Sequence, residues 1–509
     1  MKKIFLSSIA ASLLFAVGCQ TDFDNSTEDV VVTSGDANFS KYIALGNSLT
    51  SGYRDNALYI DGQNESYPNI VANQMKLAGG GEFVQPLMAD NNGGMVLGGQ
   101  TILGTKLFIE SFANGSPVLK NVAATPTTDV TKKLTGTINN MGVPGAKSFH
   151  LVAPGYGSLA ALAVQKSNPY YVRFSTSETS TVAGDAAAQK PTFFSLWIGN
   201  NDVLSYASSG GSGVDQKGNT NPATYGANDI SDPNVVAGSI KGILDGLKAA
   251  GSTKGVIANI PYVTSIPYFT TVPYNPLTPA ALGANITALN TNLYGPLKQA
   301  LTAFGAGSRI NLLSSSASNP VLIKDVSLTN LSAQLTAALT PALGAATATA
   351  FGQIYGQARQ ATPEDYVLLT ASSVIATPNP AAPASINVNG VSFPLGDQYV
   401  LTKTEAANVK AATDAYNSSI ASMANAYGLA FVDANAKMIE LNSMSGIQFD
   451  GVRYTAKFVT GGTFSLDGVH LTGRGYAVVA NEFLKAINGK YRSNLPMVSP
   501  NSYSGVKFP

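Results

Sequence analysis

The sequence predicts an α/β fold organised on a parallel sheet, and three observations carry that reading. Short apolar runs close on a glycine or a polar residue: 42–45 before Gly46, 192–198 before Gly199, 255–260, and 429–433. Runs of this kind read as strands buried on both faces. Segments with apolar residues at helical spacing lie between them. The order strand, helix, strand, helix is that of a parallel sheet with helices on both faces.

Composition narrows the function classes. The chain has 509 residues, 45% of them hydrophobic, enough to bury a large core. Length alone allows roughly two to four domains. Charged residues are only 12% and the formal net charge is +1. With no basic face indicated, no nucleic acid partner is expected.

At the N-terminus, Lys2 and Lys3 precede a short apolar core at 4–17. That is a secretory signal, too short to span a membrane. It ends in Ala16-Val17-Gly18-Cys19, which holds the chain's only cysteine. A lone cysteine forms no internal disulfide and no Cys-rich metal site. Small residues before it resemble the bacterial lipobox, so 1–18 reads as a lipoprotein signal peptide and Cys19 as the lipidated residue. The acidic residues at 22 and 24 resemble a surface-export signal. Residues 19–40 lack hydrophobic periodicity and read as a flexible tether. The expected location is outside the cytoplasm, lipid-anchored at the outer membrane on its periplasmic or cell-surface face.

The first strand, 42–45, leads through Gly46-Asn47 to Ser48-Leu49-Thr50-Ser51, which can open a helix. A serine there stands where open α/β sheets bind ligands, near the positive end of a helix dipole. Residues 65–77 have helical spacing, with Tyr67, Ile70, Val71 and Met75 as the buried stripe. Residues 79–135 are rich in Gly, Thr and Asn and read as an insertion of loops and short strands.

The strand at 192–198 runs into Gly199-Asn200-Asn201-Asp202, and 203–232 reads as loop. Residues 234–250 form a helix with Val235, Ile240, Ile243, Leu244 and Leu247 on one side and Gly251 as its stop. A second insertion, 264–400, leaves after the strand at 255–260. Thr402-Lys403-Thr404-Glu405 is a capping box that starts the next helix, and Gly428 ends it. The strand at 429–433 follows, and then a hairpin or aromatic loop at 446–464. Asp467-Gly468-Val469-His470 precedes Thr472, which caps a last helix carrying Tyr476, Val479, Phe483 and Ile487. Residues 491–509 read as a tail.

Four of these stretches resemble, in order, the sequence blocks of the SGNH/GDSL hydrolases. Gly46-Asn47-Ser48-Leu49 is similar to the first, with Asn47 where the family usually has Asp. Asn140 followed by Gly145 is similar to the second, Gly199-Asn200-Asn201-Asp202 to the third, and Asp467-x-x-His470 to the last. The resemblance covers roughly 41–265 and 402–490. It implies one hydrolase domain over 41–490, a flavodoxin-like three-layer α/β/α sandwich with a parallel sheet of about five strands. The two insertions fall outside the resemblance and are expected to be cap-like; 264–400, which leaves at the ligand side of the sheet, is expected to cap the site and select substrate. The resemblance implies catalytic Ser48, Asp467 and His470. It also implies an oxyanion hole made by the Ser48 and Gly145 backbone amides and the Asn201 side chain. Asp and His three residues apart in a tight loop can both face a nucleophile, the acid holding one ring nitrogen and leaving the other for serine.

No cofactor is implied. Two histidines and one cysteine cannot supply a His/Cys metal set. Gly-x-Ser-x-Gly is absent, and Gly155-Tyr156-Gly157 lacks the third glycine and the lysine of a phosphate loop. Of the two histidines, His150 has no acidic neighbour in sequence and reads as structural. The substrate is expected to be a small-molecule, glycan or lipid ester, with acylated glycan, lysophospholipid and thioester all open. The competing reading is a surface lipoprotein that keeps this fold only to bind glycan. If Cys19 is lipidated, Cys19→Ala moves the protein from the membrane to the soluble fraction. Sedimentation of the variant with carbonate-washed membranes would locate the anchor elsewhere.

Overall fold

The computed structural model describes residues 31–113 and 115–509. The signal peptide, Cys19 and the first part of the expected tether lie outside the described residues. Five short runs form one all-parallel sheet: β1 Tyr42–Gly46, β2 Asn140–Gly142, β3 Phe193–Trp197, β4 Gly255–Ala258 and β5 Ala430–Val432. Every residue of β1, β3 and β4 is buried, which is why they read as continuous apolar runs and not as alternating ones. The spatial order is β2-β1-β3-β4-β5, with Gly46 opposite Gly142 on one side and Trp197 on the other. The order reverses between β1 and β3, and at that switch the carboxyl ends of the strands leave a crevice for ligands.

Among the helices that frame this sheet are α1 Ser48–Ser51, α2 Tyr67–Lys76, α3 Asn201–Ser208, α4 Pro233–Ala249, α5 Lys403–Ala426, α6 Ala434–Asn442 and α7 Gly473–Tyr491. The α2 and α7 helices pack together through Tyr67 and Phe483, whose ring centroids are 4.6 Å apart; Trp197 of β3 lies edge-on to Tyr67 at 5.6 Å. The α4 and α5 helices are tied by the Tyr427 hydroxyl, which donates to Asp245 at 2.6 Å. The capping boundaries hold as read: Glu405 accepts from the Thr402 N–H, and Thr472 Oγ1 accepts from the Gly475 N–H.

Three expectations differ from the structure. The α2 helix starts at Tyr67, not at residue 65, because Pro68 can sit only where the helix needs no N–H donor, in its first turn. The stretch read as loop from 203 begins as helix α3, which buries Val203, Tyr206 and Ala207. Only two turns long and followed by Ser and Gly, it has too little periodicity to register. Residues 31–40 are not a free tether. Phe39 is buried edge-on to Phe193 at 5.0 Å, the Asp36 N–H donates to the Tyr491 carbonyl at 2.7 Å, and Asn494 bonds both Thr33 and Val31. The tail packs too, with Leu495 and Pro500 buried.

The insertions are folded. Residues 79–135 carry two antiparallel hairpins, Met95–Leu97 with Gln100–Leu103 and Leu107–Ala113 with Ser116–Asn121. Residues 264–400 build a second hydrophobic core around Tyr294, Leu322, Leu335 and Tyr355. Arg359 is buried there between Asp325 and Asp365, at 2.6 Å from each.

Gly46 ends β1 where three segments meet. A Cβ there would lie 2.5 Å from the Trp197 carbonyl oxygen and closer still to Thr50 Oγ1. Gly46→Ala is therefore expected to cost about 1–3 kcal/mol by overpacking, read as a lower urea midpoint with an unchanged slope.

Candidate active site

Asn47 and Ser48 follow directly from the end of β1. Asn47 caps α1, its Oδ1 accepting from the Leu49 N–H at 3.1 Å. Ser48 is the first helical residue. The helix has only four residues, so its dipole is small, and the expected help from that dipole is correspondingly limited.

Ser48 Oγ lies 2.8 Å from His470 Nε2, and His470 Nδ1 lies 2.9 Å from Asp467 Oδ2. The three expected catalytic side chains are thus joined in one hydrogen-bonded line. A carboxylate accepting at Nδ1 fixes that nitrogen as the proton carrier, which leaves the Nε2 lone pair for the serine hydroxyl.

Asp467 is bound from several directions. Its Oδ1 accepts from the backbone N–H groups of Val469 and His470 at 2.9 and 2.8 Å and from Ser465 Oγ at 3.2 Å. Its Oδ2 accepts from the Asn56 N–H at 2.9 Å. Burial alone would raise the carboxyl, but the facing His470 and these backbone N–H groups hold it well below the usual carboxylate range.

The sequence reading missed the segment that supplies Asn56. Tyr53 packs its ring against the His470 imidazole, centroids 4.6 Å apart. Burial first, then Tyr170 and Asp467, push the Tyr53 phenol well above its ordinary value, so it stays neutral beside the histidine. Asp55 and Asn56 both adopt positive φ, 53° and 61°. That turn brings the Asp55 N–H to Ser465 Oγ at 3.0 Å and the Asp55 carboxylate to the Leu466 N–H at 3.1 Å. Asp and Asn are the non-glycine residues that best tolerate this conformation, and the Asp55-Asn56 pair is the one local signal of the turn.

Of the expected oxyanion donors, Ser48 and Asn201 are the first residues of α1 and α3, and Gly145 stands on the loop after β2. Asn201 Nδ2 donates one hydrogen to the Ala146 carbonyl at 2.9 Å, which ties the loop after β3 to the loop after β2. Asn47 Nδ2 reaches Asn200 Oδ1 at 3.3 Å, so the departure at this position braces two loops against each other. Ser48, Asn201 and His470 line one cavity of about 110 Å³. Gly145 is not among the residues lining it. It stands on the loop after β2, with φ +80° and nothing nearer than 4.0 Å to where a Cβ would be. The N–H of Val143, two residues earlier, donates to the Gly46 carbonyl at 3.0 Å.

His150 is placed elsewhere. Its Nδ1 accepts from the Lys147 N–H at 3.0 Å and its ring stacks on Tyr156 at 4.5 Å. Behind it, buried Asp202 accepts from the Ser148 N–H and hydroxyl at 2.8 and 3.0 Å. Among the described residues no group of three or more His, Cys, Asp or Glu is arranged to hold a metal ion.

No family model matches the chain, and no curated protein matches it in sequence.

Burial, and next to it the Lys147 cation, press His150 down to about 4. An unfolded histidine takes its proton near pH 6.5, whereas the folded one does not until about 4. The unfolded state therefore binds the extra proton between those values, so stability is full above about pH 6.5 and falls as pH drops toward 4. The loss attributable to this group is on the order of 2–3 kcal/mol across that window. Urea unfolding of His150→Gln at several pH values is expected to show a flatter decline than the parent.

Proposed function

We propose that this protein is a serine ester hydrolase of the SGNH/GDSL type, held at a membrane by a lipid on Cys19. The observation that carries the reading is the line Ser48 Oγ, His470 Nε2, His470 Nδ1, Asp467 Oδ2, with links of 2.8 and 2.9 Å. The strand order β2-β1-β3-β4-β5 supports reading the core as a flavodoxin-like three-layer α/β/α sandwich, with Ser48 at the switch between β1 and β3.

In this reading the Ser48 oxygen attacks the ester carbonyl carbon while its proton passes to His470 Nε2. The carbonyl electrons move onto oxygen. The Ser48 backbone N–H and the hydrogen of Asn201 Nδ2 not used on Ala146 stabilise that charge, the Asn201 donor by about 2.7–4 kcal/mol; Gly145, the third expected donor, stands outside the cavity lining. The ester bond breaks, and the alcohol leaves with the proton from His470. Water then attacks the acyl-serine, His470 takes its proton and returns it to Ser48 Oγ, and the carboxylic acid is released.

The inserted segment 264–400 supports the site from behind: the Tyr268 N–H donates to the Gly468 carbonyl at 2.9 Å, inside the Asp-x-x-His loop. Only Ile266 of that segment lines the cavity. In this reading the segment acts by bracing the Asp467–His470 loop and not as a lid.

A fluorescent fluorophosphonate is expected to label the protein and to fail on Ser48→Ala. His470→Ala is expected to lower kcat by about three orders of magnitude or more with an unchanged circular dichroism spectrum, while His150→Ala costs far less. Absent labelling, with glycan binding intact in Ser48→Ala, would favour the non-catalytic glycan-binding reading.

A further inference from the structure

The cavity at Ser48 extends past the reacting atoms, and away from them its walls are mostly hydrocarbon. It runs between α6 and α7. On α6 it is lined by Ala434, Met438 and Leu441, at spacings of four and three residues, which is one face of the helix. On α7 the lining includes Val478 and Val479, adjacent to the caps and core positions that fix that helix. The wall on α7 runs from Gly475 to Phe483, about 12 Å along the helix at 1.5 Å per residue.

Two helices flanking β5 would ordinarily close such faces against each other, since protein interiors pack without large voids. Here the faces stand apart and the space opens onto Ser48 and His470. An ion pair, Lys437 Nζ to Glu482 Oε1 at 3.4 Å, spans from α6 to α7 across it. Lys437 is also paired to Glu440 at 2.6 Å, so its charge is not free to bind an anion, and Glu482 is paired to Lys485 at 2.7 Å. Beyond the catalytic end and this pair, the walls offer no array of donors and acceptors of the kind a sugar ring needs.

We infer that the ester carries a linear aliphatic acyl chain, which lies in this channel between α6 and α7 with its carbonyl at Ser48. The inference rests on the esterase reading and narrows its substrate to fatty-acyl esters. A length of about 12 Å corresponds to a chain of roughly eight to ten carbons. Each methylene moved from water to such walls favours binding, so longer chains gain until the channel is full.

The test uses the full-length protein and p-nitrophenyl esters from acetate to palmitate. The expected kcat/KM rises at least tenfold from acetate to octanoate and levels off or falls beyond decanoate. Met438→Trp fills the channel and is expected to lower the octanoate-to-acetate ratio of kcat/KM at least tenfold. Ile439→Trp, on the same helix but 59% exposed, leaves that ratio unchanged. Val479→Phe serves if Met438→Trp does not fold. Binding is read separately with Ser48→Ala, as displacement of a fluorescent fatty acid by decanoate, which Met438→Trp in the same background abolishes. An active enzyme with a flat chain-length profile and no decanoate binding overturns the channel and spares the esterase reading. Decanoate binding without hydrolysis of any ester upholds the channel and overturns the esterase reading.

Discussion

Asp467 is the point at which the site is held together. A carboxylate buried without donors would take up a proton or unfold its loop; this one collects N–H groups from its own loop and from Asn56, 411 residues earlier in the chain. The same contacts orient His470 and tie the Asp467–His470 loop to the turn that leaves α1. Ser48 and His470 meet because the two segments on either side of them share one anion. The Tyr53 ring then limits how far the imidazole can swing.

Both insertions converge on that loop, which gives them a structural purpose the sequence does not announce. Leu466, one residue before Asp467, packs with Ile109 of the first insertion's second hairpin. Tyr53 packs onto a small cluster of Leu58, Met88, Met95 and Tyr170, two of them from the same insertion. Gly468 is bonded by Tyr268 of the second insertion. A loop that must hold a buried carboxylate and a histidine in register is thus clamped from three sides by side chains and backbone that are rigid in their own small cores.

The parts legible in the sequence were those with strong local signals. The buried strands announced themselves as unbroken apolar runs, and Thr402 with Glu405, and Thr472, announced the helix starts. The candidate triad was legible because its residues stand in short blocks, Ser48 just past the end of a strand and Asp467 and His470 just before a capped helix. Tyr53, Asp55 and Asn56 were not legible, because their part is a set of contacts to residues more than 400 positions away, and no spacing encodes that. Phe39 illustrates the converse: a single aromatic in a polar stretch carries no period, yet it is buried against Phe193 and turns the last residues of an expected tether into part of the domain. The α6–α7 channel was invisible for a further reason. Met438, Leu441 and Val478 are ordinary core residues by type, and only the tertiary spacing between two helices leaves them facing empty space.

The strap formed by residues 31–39 also sets a distance. If the chain hangs from a lipid on Cys19, twelve residues separate that anchor from Val31, which with Thr33 is bonded to Asn494. Twelve fully extended residues reach about 40 Å. An anchor at Cys19 would therefore keep the surface around Val31 and Asn494 within about 40 Å of the lipid.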